Sequence, residues 1–157
     1  MKIAIGADHR GFSVASLLAQ KLKREGHTVD LLGSFNGQPV DYPEPAYHVS
    51  KAVAERQDEL GILVCGTGIG VSIAANKYPG IRAAVAHDEL TAQLSRSHND
   101  ANVLCLSGDL LGQPLIEKIV DTWIHTEFEG GRHARRVHKI AAIEHGQDPA
   151  SVKDGAP

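Results

Sequence analysis

Short apolar runs punctuate the chain at Lys2–Ala7, Thr28–Leu32, Leu60–Cys65, Arg82–Ala86 and Val103–Leu106, with amphipathic stretches between them. Most of these runs are apolar at successive rather than alternate positions. A strand that buries both faces in this way belongs to a parallel sheet covered by helices on each side. Between the runs, Phe12, Ala15, Leu18 and Leu22 recur at helical spacing, as do Ile116, Ile119, Val120 and Trp123, so each of those stretches offers one apolar stripe. Strand and helix alternate along the chain, which predicts an α/β fold on five strands.

Local signals place the helix ends. Gly26 stops the first helix, while Pro43 and Pro45 suit the first turn of a second that runs to about Arg56. A third begins near Gly70. Asp88 is a natural N-cap for a fourth that ends near His98, and Gln113–Thr126 makes a fifth. After Gly130 and Gly131 the run RHARRVHKIAAIEHG reads as one more helix, and the polar QDPASVKDGAP that follows is expected to fray. The 157 residues carry no internal repeat and no linker, which predicts one domain over residues 1–145 and a tail over 146–157.

Composition excludes several function classes. Lys and Arg number 16 against 19 Asp and Glu, a formal charge of −3, so no basic excess draws in nucleic acid or an anionic membrane. Aromatics make up 4 %, too few to suggest a stacking platform for bases. No apolar run approaches the ~20 residues of a membrane span, and the opening MKIAIGADHRG has a strand-like run where a signal peptide needs a longer apolar stretch. A cytoplasmic protein is expected. The two cysteines, Cys65 and Cys105, lie in apolar stretches, which suits reduced thiols better than a disulfide.

In an open parallel sheet, ligands bind beyond the carboxyl ends of the strands, near the point where strand order reverses. The segments to inspect are Asp8-His9-Arg10-Gly11, Cys65-Gly66-Thr67-Gly68-Ile69-Gly70, His87-Asp88 and Ser107-Gly108-Asp109. Three glycines in five residues between a buried strand and a helix expose consecutive backbone N–H groups, a cradle for an anion. The spacing fits neither dinucleotide motif: the third glycine arrives one residue early for G-x-G-x-x-G, and Gly70-Val71-Ser72 lacks the lysine of a P-loop. Cys65 stands immediately before this loop, where thiolate character would make it a base or a nucleophile, whereas Cys105 reads as a small buried hydrophobe.

His98 closes the fourth helix in SRSHNDAN, where the helix dipole favours an imidazolium and hence a proton donor. Arg132 and Arg136 are four apart, so on a helix two guanidinium forks share a face and suit a phosphate. No His, Cys, Asp or Glu cluster has zinc spacing, and His133 with His138 is five apart, poor for one helical face. No metal is expected.

Taken in order, GADHRG, Asp41-Tyr42-Pro43, GILVCGTGIGVSIAANK, GIRAAVAHD, SRSHNDANVL and FEGGRHARRV resemble the type B ribose-5-phosphate isomerase family, in one superfamily with the galactose-6-phosphate isomerase subunits. The resemblance runs to about residue 145. It implies a three-layer α/β/α sandwich, Rossmann-like and doubly wound, on a five-stranded parallel sheet. It also implies interconversion of ribose 5-phosphate and ribulose 5-phosphate through a cis-enediolate, without metal or organic cofactor. Carried over to matching positions, Cys65 would move the proton between C1 and C2 and His98 would help open the furanose ring. Gly66, Thr67, Gly68, Ile69 and Gly70 would hold the enediolate oxygen. Asp8 and Asn99 would position sugar hydroxyls, Tyr42 would lie at the substrate, and His9, Arg132 and Arg136 would take the phosphate. A homodimer or dimer of dimers with sites at the subunit interface is implied as well.

One residue departs from the pattern. Many relatives carry a phosphate-binding arginine in the loop after the fifth strand, whereas this chain has Asp109. A carboxylate facing a phosphate is repulsive. Either Asp109 points away from the ligand, or the ligand's far end differs, as in a six- or four-carbon sugar phosphate. A non-catalytic sugar-phosphate binding module is the alternative from another class, and Cys65 with His98 argues against it. Flavin or nucleotide binding would rest on fold alone.

Overall fold

The computed structural model describes residues 1–33, 35–36 and 38–152. The elements run β1 (Lys2–Ala7), α1 (Phe12–Arg24), β2 (Thr28–Leu31), α2 (Pro43–Ala54), β3 (Leu60–Cys65), α3 (Ile69–Ala75), β4 (Ala83–Val85), α4 (Glu89–Asn99), β5 (Val103–Ser107), α5 (Gln113–His125) and α6 (Arg132–Glu144). All strand pairs are parallel, in the order β2-β1-β3-β5-β4.

Side-chain alternation sorts the core into two layers. Ile3 and Ile5 of β1, Ile62 and Val64 of β3, and Leu104 and Leu106 of β5 pack with Leu18 and Leu22 of α1 and Ile116, Ile119 and Trp123 of α5. On the opposite face, Leu63 and Cys65 of β3 and Val103 and Cys105 of β5 pack with Val49 and Val53 of α2 and Val71 and Ala75 of α3. The sheet is therefore covered on both sides, as the apolar runs require. Trp123 is fully buried, and its indole N–H donates to Ser95 Oγ at 3.1 Å, so its polar atom is satisfied within the core. Lys21 of α1 reaches Asp121 of α5 at 2.5 Å and joins the two helices of that layer.

The expected elements all form, with differences at their ends. β2 stops at Leu31 and β4 covers only Ala83–Val85, and neither is buried on both faces because both are edge strands. β5 runs one residue further, to Ser107, whose Oγ donates to the Gly66 carbonyl at 2.6 Å. Asp88 caps α4 as expected, accepting from Thr91 N at 2.6 Å. Within the expected tail, residues 149–151 form a 3-10 turn capped by Asp148 and packed on α6; residues 153–157 lie outside the described residues.

From the middle of the sheet the chain passes from β1 outward to β2 through α1 on one face, then back across to β3 through α2 on the other. The carboxyl ends of β1 and β3 thus border the crevice left where the winding reverses. Gly11, at the start of α1, lies so close to β3 that an added Cβ would stand 2.2 Å from the Val64 carbonyl oxygen. Backbone cannot yield there. Gly11→Ala should cost more than about 2 kcal/mol, whereas Gly112→Ala, which meets nothing nearer than 3.9 Å, should change stability by less than about 0.5 kcal/mol. Thermal or denaturant unfolding of the two variants checks this contrast.

Candidate active site

The crevice is built from backbone first. Gly68 takes a left-handed conformation at φ 78°, which turns the chain out of β3 and into α3. The loop after β5 holds this turn: Gly108 N donates to the Cys65 carbonyl at 2.8 Å, and Ser107 Oγ and Asp109 N both donate to the Gly66 carbonyl. Cys65 is 4 % exposed, and its sulfur accepts the Gly68 N–H at 3.2 Å. Thr67 is exposed on the loop, and its hydroxyl oxygen accepts from Ile69 N at 3.2 Å, which leaves the hydroxyl proton free to donate outward. Cys105 sits beneath in the core, where burial pushes its thiol up and keeps it protonated.

Two further loops line the same edge. Asp8 is buried, and its Oδ1 accepts from Arg10 N and Gly11 N, both at 2.9 Å, so it shapes the β1 turn while bordering the crevice. His9 is exposed, with Nδ1 at 3.4 Å from the Val40 carbonyl. Tyr42 lies flat enough against Gly70 that a Cβ there would be 2.8 Å from its ring, so this glycine makes room for the aromatic wall. Asp109 does not face the crevice as a bare carboxylate. Its Oδ2 takes Nε and Nη2 of Arg10 at 2.8 and 2.5 Å, and the pair rests directly on Gly66.

The remaining expected site residues are elsewhere. α4 follows the carboxyl end of β4 and runs back, so His98 and Asn99 arrive just before the first residue of β5, while Cys65 is in register with its last, Ser107. Four strand steps, about 13 Å, separate those two ends of β5. At this far edge Asp100 adopts a left-handed conformation at φ 46°, held by Arg82 at 2.8 Å and Arg96 at 2.8 Å. Arg82 Nε also donates to the Asn99 carbonyl at 3.0 Å, which fixes the segment that carries His98. α6 packs against α4 here and brings Arg132 and Arg136, both exposed, to the same edge as His98.

The structure thus divides the expected residues into two groups. Asp8, His9, Tyr42, Cys65, Gly66, Thr67, Gly68, Ile69, Gly70 and Asp109 lie at the carboxyl edge, and His98, Asn99, Arg132 and Arg136 at the amino edge. One chain does not bring Cys65 and His98 together. Sequence reasoning also missed two contacts. The Arg10–Asp109 pair joins residues 99 apart and leaves no local pattern, although both residues follow strands that share a neighbour in β3. His133 is the other: its ring stacks on His98 at 4.1 Å and 9°, and Glu129 lies 3.6 Å away. These three side chains can bring one ligand atom each within 4.8 Å, a grouping that the spacing within α6 alone does not reveal. Arg132 Nε, 3.4 Å from His133 Nε2, adds a fixed positive charge there, which opposes a cation.

Burial lowers the His133 pKa below its ordinary 6.5, with the positive neighbours His98 and Arg132 acting in the same direction. The folded protein therefore keeps His133 neutral, and the unfolded chain takes up the proton more readily as pH falls through about 6.5. This contribution to stability is complete above that pH and is lost below it. The fall in melting temperature between about pH 7.5 and 5.5 should be smaller in His133→Gln than in the parent protein. Parallel curves would contradict this assignment.

Comparison with known proteins places these features. Residues 3–140 match the model of the Ribose/Galactose Isomerase family. Ribose-5-phosphate isomerase B of Escherichia coli is 47 % identical over 143 residues, 91 % of this chain and 96 % of its own. D-erythrulose-4-phosphate isomerase of Pectobacterium atrosepticum is 40 % identical over 92 % of this chain and 96 % of its own. Ribose-5-phosphate isomerase B of Clostridium thermocellum superposes with a TM-score of 0.92 at 49 % identity, covering 93 % of this chain and 99 % of that one. No helix among the described residues is long and apolar enough to cross a membrane. With the family model matched over most of its length, the chain belongs to the ribose/galactose isomerase family.

Proposed function

We propose that this protein interconverts ribose 5-phosphate and ribulose 5-phosphate in the cytoplasm, where its two free thiols stay reduced. The observation that carries this reading is Cys65, a buried sulfur at the start of a glycine loop, which accepts the Gly68 N–H of that loop. Removing the C2 proton of an aldose makes an enediolate, and returning it to C1 as a proton passes from O2 to O1 gives the ketose, so the site needs one base that reaches both carbons and donors for the oxyanion. Cys65 serves as that base, taking the proton from C2 and returning it to C1. Backbone N–H groups of Gly66–Gly70, with the Thr67 hydroxyl, hold the oxygen. They are fixed in place before the substrate arrives, and losing one such donor costs about 3 kcal/mol of transition-state stabilisation in well-studied enzymes.

The ring-opening acid and the phosphate clamp come from a second copy of the chain. His98, Asn99, Arg132 and Arg136 share the amino edge of the sheet, out of reach of their own Cys65. In a two-fold dimer the amino edge of one protomer meets the carboxyl edge of the other, and two identical composite sites result. His98 then protonates the sugar ring oxygen as the ring opens. Asp8 and Asn99 orient hydroxyls, and His9, Arg132 and Arg136 hold the phosphate. Exposed apolar side chains on α3, Ile69 and Ile73, stand beside the glycine loop and suit such an interface.

A second reading, isomerisation of a shorter sugar phosphate, is favoured by the similarity to D-erythrulose-4-phosphate isomerase. Comparing kcat/KM for ribose 5-phosphate and erythrose 4-phosphate, in EDTA, distinguishes the two. For either sugar, Cys65→Ala should lower kcat by at least about a thousandfold and stop exchange of the C2 proton with solvent. Substrate affinity should stay within a fewfold of the parent protein. Undiminished turnover in this variant would remove Cys65 from the chemistry.

A further inference from the structure

The Arg10–Asp109 pair is not explained by folding alone. It lies at the carboxyl edge where β1 and β5 end on either side of β3, and it covers the first glycine of the loop that follows Cys65. The contact is lopsided. Both Nε and Nη2 of Arg10 converge on Oδ2 of Asp109, so one edge of the guanidinium is committed to the carboxylate. A guanidinium has a second edge, formed by Nη1 and Nη2, with the spacing of two phosphate oxygens. That edge has no protein acceptor among the described residues.

Exposure decides which member of the pair meets a ligand. The Arg10 side chain is 59 % exposed and that of Asp109 35 %, so an anion coming from solvent meets the cation first. Asp109 is also anchored from behind, since its own N–H donates to the Gly66 carbonyl at 3.1 Å. A carboxylate fixed in this position would repel an anion on the loop if it stood alone. Bound along one edge of Arg10, it is neutralised and leaves the other edge to solvent.

Resting on the isomerase reading above, we infer that Arg10 is a further substrate-binding residue of this chain, whose free guanidinium edge takes the phosphate of the sugar while Asp109 positions it. Asp109 is then a positioning residue and not a direct ligand of the sugar. The two together fix how far from Cys65 the phosphate is met, and so bear on the length of sugar that this chain accepts.

Calorimetric binding of inorganic phosphate and of ribose 5-phosphate, together with steady-state kinetics, tests this in Arg10→Met, Arg10→Lys and Asp109→Asn, with melting temperatures measured alongside. Arg10→Met should weaken binding of both ligands and raise KM by about tenfold with kcat within about twofold, since it removes a charge-assisted contact made equally before and during the reaction. Arg10→Lys, a point charge without the fork, should recover part of the affinity. Asp109→Asn keeps the guanidinium but loosens it, and should raise KM by less than Arg10→Met does. Unchanged phosphate binding in Arg10→Met overturns the inference. So do equal losses of affinity and melting temperature in Arg10→Met and Asp109→Asn, which mark a clamp between loops and nothing more. Because the binding arm needs no turnover, a parent protein inactive on ribose 5-phosphate would defeat the isomerase reading while phosphate binding still decided the role of Arg10.

Discussion

Parallel strands impose a direction on everything attached to them. Each strand delivers its following loop to one edge of the sheet, and each helix carries the chain back to the other edge before the next strand can begin. In this protein the rule places Cys65 and its glycine loop at the carboxyl edge, and His98, at the end of a returning helix, at the amino edge. No rotamer change closes a gap of a whole strand. The separation follows from the same hydrogen bonding that makes the sheet, which is why the proposed chemistry needs two copies of the chain and why α6, with Arg132 and Arg136, is placed beside His98 rather than beside Cys65.

The carboxyl edge is organised by loops holding loops. β5 ends one residue later than its apolar run suggests, and that residue, Ser107, turns its hydroxyl onto the Gly66 carbonyl. Gly108 and Asp109 add backbone bonds to Cys65 and Gly66, and Asp8 folds onto the amides of its own turn. These bonds occupy the carbonyls of Cys65 and Gly66 and fix the loop, while two of its amides turn onto its own side chains, Gly68 N–H onto Cys65 Sγ and Ile69 N–H onto Thr67 Oγ1. At the opposite edge Asp100 does the comparable work: a residue in a left-handed conformation, secured by two arginines, ends α4 and fixes the carbonyl next to His98.

How much of this was legible in the sequence depends on how far each signal reaches along the chain. The strands at Lys2–Ala7 and Leu60–Cys65, the cap at Asp88 and the turn at Gly68 are local patterns, and each forms where its residues indicate. Cys65 could be told from Cys105 because one ends a strand before glycines and the other lies inside one. The pairing of Arg10 with Asp109 joins residues 99 apart through a strand order that no local spacing encodes, and it answers the question that Asp109 raised: the carboxylate is neutralised by a neighbour. The stack of His133 on His98 depends likewise on how α6 crosses α4. Resemblance named His98 and Cys65 as partners in one reaction, and only the topology reveals that one chain keeps them apart.

In the proposed mechanism a working site draws on the carboxyl edge of one protomer and the amino edge of another. Two inactive variants, Cys65→Ala and His98→Asn, carrying different affinity tags, can be refolded together and their hybrids isolated through both tags. A two-fold hybrid holds one intact site and one doubly damaged site, so the isolated hybrid should regain about half the activity of the parent dimer, and an unfractionated equal mixture about a quarter. Hybrids that carry both tags yet stay as inactive as either variant would contradict a shared site, because they would place Cys65 and His98 in the same protomer's site.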